Sequence, residues 1–361
     1  MYQMKEAKLI LYDGSQYSGY SFGYEHPVSG ELVFYTAMTG YPESLTDPSY
    51  KGQILVPTYP MIGNYGVPSD IQDEGVSRFF ESEKIQCSAL VIADYSSKYN
   101  HWDSTKSLST WLKEWLVPAL TGIDTRALVL KLRETGSMPG KIIFDDKEDI
   151  PFYDPNLDNL VAQVSCKEPI YYGHGRYKVL LVDCGMKNNI LRCLLRYDVT
   201  VKRVPWDYDF RGEDYDGLFI SNGPGDPSVC TKTIEHLSWA IQQNRSIMGI
   251  CLGNQLLALA AGAKTYKLKY GHRGHNQPVV MPGTHRCFIT SQNHGFAIEK
   301  ESLPKDWTPM FINLNDGTIE GIRHISKPFF STQFHPEASS GPVDTAFLFQ
   351  EFFDNMTYGR H

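Results

Sequence analysis

The sequence predicts an α/β protein in which a doubly wound, mostly parallel sheet follows a separate, β-rich α+β domain. Three observations lead to this prediction. The run from Lys178 to Asp183 is apolar between its charged ends, as in a strand buried on both faces of a parallel sheet. After it, strand and helix patterns alternate, whereas short strands between Gly, Pro and Asp turns dominate the beginning of the chain.

Residues 1–150 are predicted to form the N-terminal domain. The second of its helices should stop before Gly136, a residue type that commonly ends helices. The predicted elements are strands at 8–12, 31–36, 53–57 and 89–93, and helices at 107–115 and 125–134. Residues 151–176 are rich in Pro, Gly and Asp, and we assign them to a linker.

Residues 177–357 are predicted to form the second domain, with its ligands at the carboxyl ends of the strands. Its strands are predicted at 178–183, 200–204, 217–221 and 246–250, its helices at 187–196, 231–243 and 256–261, followed by several short strands between 279 and 334 and a last helix at 344–355.

The composition excludes several classes of protein. The 361 residues allow two or three domains, and a net charge of −7 without a Lys/Arg-rich run argues against nucleic-acid binding. The seven cysteines form no C-x-x-C pair, which favours a reducing compartment over a disulfide framework or a zinc site. No apolar run reaches the roughly 18 residues of a membrane span, and no secretory signal is visible. We therefore expect a cytoplasmic protein, although a processed organelle protein would look the same.

The segment Gly249-Ile250-Cys251-Leu252-Gly253 is the most informative stretch of the chain. Glycines two residues before and after a side chain allow a sharp turn from strand to helix, as in the G-x-S-x-G nucleophile elbow. A thiol at a helix N-terminus also lies at the positive end of the helix dipole, which favours the thiolate. The alternative is a small core residue, the usual fate of a free cysteine.

The sequence His335-Pro336-Glu337 supplies the groups that a thiol nucleophile requires. Proline restricts its own backbone and that of the preceding residue, so an imidazole and a carboxylate lie on a rigid turn. A nucleophile needs a base within hydrogen-bond reach, and the base needs an orienting acceptor. A structural histidine is the alternative for His335 alone, but together with Cys251 the pattern predicts a catalytic triad.

Two further loops have the composition of a binding site. Residues 221–227 (SNGPGDP) could provide an oxyanion-hole N–H beside that of Leu252, or form an ordinary turn. Residues 291–296 (SQNHGF) offer amides and bare backbone to a polar, uncharged group, and His294 there is a rival base. His272 and His275 have no third ligand evident in the sequence, so no metal site is predicted.

These sites, in this order, resemble the class I, triad-type glutamine amidotransferases. The closer resemblance, over essentially the whole chain, is to the small-subunit family of carbamoyl-phosphate synthetases. It is carried by residues 40–50 (GYPESLTDPSY), 59–66 (YPMIGNYG), 122–126 (GIDTR) and 271–278 (GHRGHNQP). One departure is Asn254, where many relatives have His.

The resemblance implies a role for particular residues. Cys251 would be the nucleophile, His335 the general base and acid, and Glu337 its orienting carboxylate. The side chain and backbone contacts to glutamine would come from Ser49, Gly223, Gly225, Leu252, Gln255, Asn293, Gly295 and Phe296.

The resemblance also implies an activity and a partner. The chain would hydrolyse L-glutamine and deliver ammonia to a large synthetase subunit or domain, which makes carbamoyl phosphate for pyrimidine or arginine synthesis. ATP and Mg²⁺ are expected on that partner only, with no cofactor or metal in this chain. The alternatives are an amidotransferase of another synthetase, a non-catalytic glutamine-binding scaffold, and a Rossmann oxidoreductase, for which the glycine fingerprint is missing.

Overall fold

The computed structural model describes residues 4–144 and 149–359. The chain divides into two compact units, Met1–Asp158 and Asn159–His361. This division falls inside the segment predicted as a linker. The later part of that segment forms a helix, α4 (Val161–Val164), and a strand, β8 (Ile170–Tyr172), of the second unit.

A closed barrel of seven strands forms the first unit. The barrel strands are β1 (Glu6–Leu11), β2 (Gln16–Ser21), β3 (Val28–Tyr35), β4 (Gln53–Pro57), β5 (Ala89–Val91), β6 (Ala119–Thr121) and β7 (Met138–Ile143), in the order β1-β7-β3-β4-β5-β6-β2. Three neighbouring pairs of the barrel are parallel, namely β3–β4, β4–β5 and β5–β6. The remaining pairs are antiparallel. The predicted β-rich α+β unit is therefore built on a barrel, whose closure removes the open edges of that sheet, and three two-stranded sheets between residues 61 and 106 accompany it.

In the described part of this unit, three α-helices accompany the barrel: α1 (Tyr41–Thr46), α2 (Leu108–Glu114) and α3 (Thr125–Thr135). The last two begin at side-chain caps, because Ser107 accepts a hydrogen bond from the Thr110 N–H and Asp124 accepts one from the Ala127 N–H. Such caps satisfy backbone donors that have no partner within a helix.

A ten-stranded sheet forms the centre of the second unit. Its strands after β8 are β9 (Tyr177–Asp183), β10 (Val199–Pro205), β11 (Gly217–Ile220), β12 (Ser246–Ile250), β13 (Thr265–Val280), β14 (Cys287–Ile298), β15 (Trp307–Asn313), β16 (Ile319–His324) and β17 (Phe329–Thr332). The order is β8-β10-β9-β11-β12-β17-β16-β14-β13-β15, with β10, β9, β11, β12 and β17 parallel. This is the predicted mostly parallel sheet, extended by an antiparallel half.

Helices α5 (Asn188–Leu194), α6 (Thr231–Ala240), α7 (Leu252–Ala261) and α8 (Phe347–Tyr358) complete the second unit. Helix α7 starts directly after Cys251, four residues earlier than predicted, because Gly253 fits within its first turn. Most of β13 was not predicted, and the short strands predicted between 279 and 334 were wrong in part, since β14 has 12 residues.

The helices contain no candidate for a membrane span. Within residues 4–144 and 149–359, none combines the length and the apolar character that crossing a bilayer demands.

Candidate active site

Four parallel strands of the second unit end at the same edge of the sheet, and the segments that leave them carry most of the predicted site. Strand β9 leads to Lys187, β11 to the loop at 221–227, β12 to Cys251 and β17 to His335. Strands β9, β11, β12 and β17 are consecutive neighbours in the sheet. The carboxyl ends of parallel strands meet at one edge, which brings these distant segments together.

The backbone at Cys251 has the strained geometry of a nucleophile elbow. Its φ is 53° and its ψ is −102°, a conformation that non-glycine residues rarely adopt. Its N–H donates to the Thr332 carbonyl at 2.7 Å, which ties the elbow to β17. A Cβ on Gly249 would lie 2.6 Å from the Gly253 carbonyl oxygen, and one on Gly253 would lie 2.3 Å from the Ile220 carbonyl oxygen. Both glycines are therefore required by close backbone packing.

The imidazole of His335 lies between a carboxylate and the sulfur. Its Nδ1 is 2.6 Å from Oε1 of Glu337, and both side chains are buried. Its Nε2 is buried without a hydrogen-bond partner among the described residues. The Cys251 sulfur is nevertheless close enough to affect the ring, and it donates a long hydrogen bond to the Asn293 carbonyl at 3.6 Å. The three residue types predicted to act together are thus neighbours.

The charges around His335 and Glu337 favour a protonated, positively charged imidazole at His335. Burial lowers the pKa of His335, but the Glu337 carboxylate and the Cys251 sulfur raise it by more, so it lies above the ordinary 6.5. Burial raises the pKa of Glu337, and His335 and Lys187 together lower it below the ordinary 4.5. An imidazolium held beside a carboxylate can stabilise negative charge on the neighbouring sulfur.

The sequence analysis missed Lys187, which forms the other flank of Glu337. Its Nζ lies 3.3 Å from Glu337 Oε1 in a buried ion pair and also donates to the Ala338 carbonyl. Asn189 donates to the Glu337 carbonyl, and the Asn222 side chain accepts from the Lys187 N–H at 3.0 Å. The position of Lys187 after a buried parallel strand was the signal available in the sequence.

Five of the eight predicted glutamine contacts are linked to the elbow or to its helix by direct contacts. Gly223 lies against Leu252, because a Cβ on this glycine would be 2.8 Å from Leu252 Cδ2. The Gln255 amide donates to the Phe296 carbonyl at 2.9 Å. The Asn293 carbonyl contacts the Cys251 sulfur as described above.

The other three predicted contacts are less directly connected to the sulfur. Gly225 has a φ of 83°, and Gly295 lies near the Arg273 guanidinium. Ser49 belongs to the first unit, where it is buried and its N–H donates to Asp47 at 2.9 Å. The assignment of all eight residues to glutamine binding stays a prediction.

A buried amide network supports the first turn of α7. The Gln333 side-chain oxygen accepts from Asn254 at 3.0 Å and from Gln255 at 3.1 Å. Ser331 in turn donates to the Asn254 side-chain oxygen at 2.8 Å. Asn254, which departs from the family pattern, therefore acts behind the elbow and outside the triad.

The rival base His294 has a carboxylate neighbour that sequence alone did not reveal. Glu320, on another strand, lies 3.7 Å from His294 Nε2, and His294 Nδ1 lies 2.8 Å from the Phe296 carbonyl. Both ring nitrogens of His294 therefore face other partners, and His335 is the imidazole beside the sulfur.

The fold and the site define a class I glutamine amidotransferase domain, and the family model described as "Glutamine amidotransferase class-I" matches residues 180–355. A second model, "Carbamoyl-phosphate synthase small chain, CPSase domain", matches residues 9–142. The arginine-specific small chain of carbamoyl phosphate synthase from Saccharomyces cerevisiae is 49% identical over 97% of this chain and 89% of its own length. The chain belongs to the family of carbamoyl-phosphate synthase small chains.

A long multifunctional protein and a solved structure are also similar to this chain. The multifunctional protein CAD of Squalus acanthias is 55% identical over 96% of this chain, which spans only 16% of that relative's length. A crystal structure of a glutamine amidotransferase from Thermotoga maritima is 18% identical, with a TM-score of 0.38 over 52% of this chain and 87% of the other.

Proposed function

We propose that this chain is the glutaminase component of a glutamine-dependent carbamoyl-phosphate synthase. It hydrolyses L-glutamine to glutamate and ammonia, and the ammonia passes to a large synthetase subunit or domain. The observation that carries the proposal is the buried row of carboxylate, imidazole and sulfur formed by Glu337, His335 and Cys251 at a strained elbow.

The reaction is an acyl transfer through a thioester. The Cys251 thiolate attacks the side-chain carbonyl carbon of glutamine, and backbone N–H groups of Leu252 and the 223–225 loop stabilise the oxyanion. His335 donates its proton to the departing ammonia, and the C–N bond breaks. His335 then accepts a proton from water, which attacks the thioester and releases glutamate and the thiolate. Glu337 keeps the imidazole oriented and stabilises its charge throughout.

The proposed partner uses bicarbonate and ATP, with Mg²⁺, to convert the ammonia into carbamoyl phosphate. Relatives of two kinds support it, since free small chains and long multifunctional proteins both match nearly all of this chain. The partner is therefore proposed as a separate subunit or as a domain of the same polypeptide. The seven free thiols support a cytoplasmic location for the assembly.

A glutaminase assay of the wild type and of Cys251→Ser, each with and without the synthetase partner, tests this function. We expect the wild-type chain alone to be slow, the complex to be faster, and Cys251→Ser to lose about 10³-fold or more of the glutaminase rate. Synthesis from free ammonia should survive in the Cys251→Ser complex, which shows that the partner is active, and co-purification of the variant with the partner shows that it still assembles. Equal glutaminase rates for wild type and variant would favour the scaffold alternative.

A further inference from the structure

A cluster of metal-ligating side chains, two of them buried and His272 half-buried, lies where three antiparallel strands of the second unit meet. His272 comes from β13, His294 from β14 and Glu320 from β16. One ligand atom from each lies within 4.8 Å of the other two. Nδ1 of His272 is 3.2 Å from Glu320 Oε1, and Nε2 of His294 is 3.7 Å from the same oxygen. The sequence analysis found no third ligand for His272 because the other two lie on strands distant in the chain.

The hydrogen bonds of His294 leave a lone pair facing oxygen atoms. Its Nδ1 lies 2.8 Å from the Phe296 carbonyl, which only accepts, so the ring proton belongs on Nδ1. A neutral imidazole then presents a lone pair at Nε2, yet Nε2 faces Gln292 Oε1 at 3.2 Å and Glu320 Oε1. The Gln292 amide is oriented by its donation to Thr290 at 3.2 Å. Three electron-rich atoms therefore face one another: Nε2 of His294, Oε1 of Gln292 and Oε1 of Glu320.

His272 also has one ring nitrogen next to an acceptor and the other next to Glu320. Its Nε2 lies 2.8 Å from Asp316 Oδ2, which directs Nδ1 towards Glu320. Metal-ligating histidines typically donate their second ring N–H to a carboxylate or carbonyl, as Asp316 and the Phe296 carbonyl would permit here.

Glu320 is positioned for the same role. Its Oε1 accepts hydrogen bonds from Thr318 at 3.1 Å and Asn313 at 3.3 Å. Its Oε2 is buried without a hydrogen-bond partner among the described residues. A carboxyl oxygen that is buried without a partner is costly, and a bound cation would compensate for it.

We propose that His272, His294 and Glu320 bind one divalent transition-metal ion of the zinc type. Two imidazoles and one carboxylate are donors that Zn²⁺ prefers, whereas Mg²⁺ and Ca²⁺ take oxygen ligands. The charge of the ion would be balanced by the carboxylates of Glu320 and Asp316. One extra proton on His272 is the competing solution, because its two ring N–H groups could then donate to Asp316 and Glu320, but it leaves the Nε2 lone pair of His294 facing the oxygens of Gln292 and Glu320.

The ion would stabilise β14, the strand that carries Asn293 next to the Cys251 sulfur. The metal site rests on the cluster alone and stands whether or not the chain is a glutaminase. If both proposals hold, removal of the ion should raise the KM for glutamine more than it lowers kcat.

Metal analysis of the full chain, purified without a polyhistidine tag, tests the site. After treatment with chelator, the protein is titrated with Zn²⁺ and Co²⁺ and its metal content is measured. We expect one equivalent of metal, a tetrahedral Co²⁺ absorption spectrum, and a rise in melting temperature with Zn²⁺. Glu320→Gln and, independently, His272→Asn should weaken binding more than about ten-fold, with folding checked by circular dichroism.

Two controls separate this site from others. Cys251→Ser should retain the metal, and the Co²⁺ spectrum should lack thiolate charge transfer, because the ion does not bind the triad. His324→Gln removes a histidine of another His–carboxylate pair, His324–Asp306, and should also retain it. Loss of binding in Cys251→Ser, equal binding in Glu320→Gln and His272→Asn, or no bound metal in the wild type would overturn the proposal and favour a proton-filled cluster.

Discussion

At the scale of single residues, Glu337 is the carboxylate that contacts both His335 and Lys187. His335 and Lys187 both contact its Oε1, and all three side chains are buried. Removing one partner of a buried ion pair leaves charge uncompensated, so Lys187→Met should lower the free energy of unfolding by about 3 kcal/mol. Urea denaturation measures this change.

The matched control is Lys178→Met. Lys178 pairs with Asp214, but both side chains are largely exposed, and exposed pairs contribute little. The same substitution should therefore change stability far less at this position. Similar losses for the two variants would mean that the buried charge of Lys187 contributes no more than an exposed one.

The raised pKa of His335 predicts a specific dependence of stability on pH. A group whose pKa is raised by folding stabilises the protein fully below its ordinary value of 6.5. That contribution is lost as the pH rises through the raised value. The melting temperature of the wild type should therefore exceed that of His335→Asn most near neutral and mildly acidic pH, and the difference should shrink in alkaline buffer. A difference that grew with pH would contradict the charged imidazole.

At the scale of elements, the strand–elbow–helix unit of β12 and α7 leaves no space for a side chain at Gly253. Gly253→Ala would force a methyl group against the Ile220 carbonyl of β11. We expect a loss of about 3 kcal/mol in stability and a large loss of glutaminase activity. Gly212→Ala is the control, because no atom lies within 4 Å of a Cβ placed there and the residue is exposed. Wild-type stability and activity in Gly253→Ala would refute the packing argument.

The accuracy of the sequence predictions also differs by element. Strand β12 has the predicted bounds because small residues and turns mark its ends. Most of β13 was not predicted because glycine and proline interrupt its sequence, and β14 is longer than the short strands predicted there. Register shifts between Lys267/His272 and Gly274/Gln277 allow the β13–β14 ladder to continue. Bulges of this kind depend on the partner strand and leave no local pattern in the sequence.

The site shows the same division between local and non-local information. Cys251, His335 and Glu337 were predictable because each lies in a short motif with its own backbone requirement. Lys187 and Glu320 lie in no such motif and reach their partners only through the strand order of the sheet. The contacts of isolated residues such as Lys187 and Glu320 are therefore visible only in the folded chain.

At the scale of the whole molecule, the seven free cysteines provide a test of which thiol is functional. Cys287 is exposed, whereas burial raises the pKa of Cys87 and Cys230 to about 12 and that of Cys184 well above its ordinary value. A simple reagent such as iodoacetamide should therefore label Cys287 first, because reactivity follows thiolate content and exposure.

A glutamine-shaped alkylating reagent should give a different pattern. If the elbow and triad recognise glutamine, this reagent should modify Cys251 despite its burial, and L-glutamine should prevent the modification. Peptide mass spectrometry locates the adduct, and Cys251→Ser provides the control. Labelling that follows the iodoacetamide pattern, with Cys251 spared, would show that exposure alone decides reactivity and would leave the chain with the fold of an amidotransferase but not its chemistry.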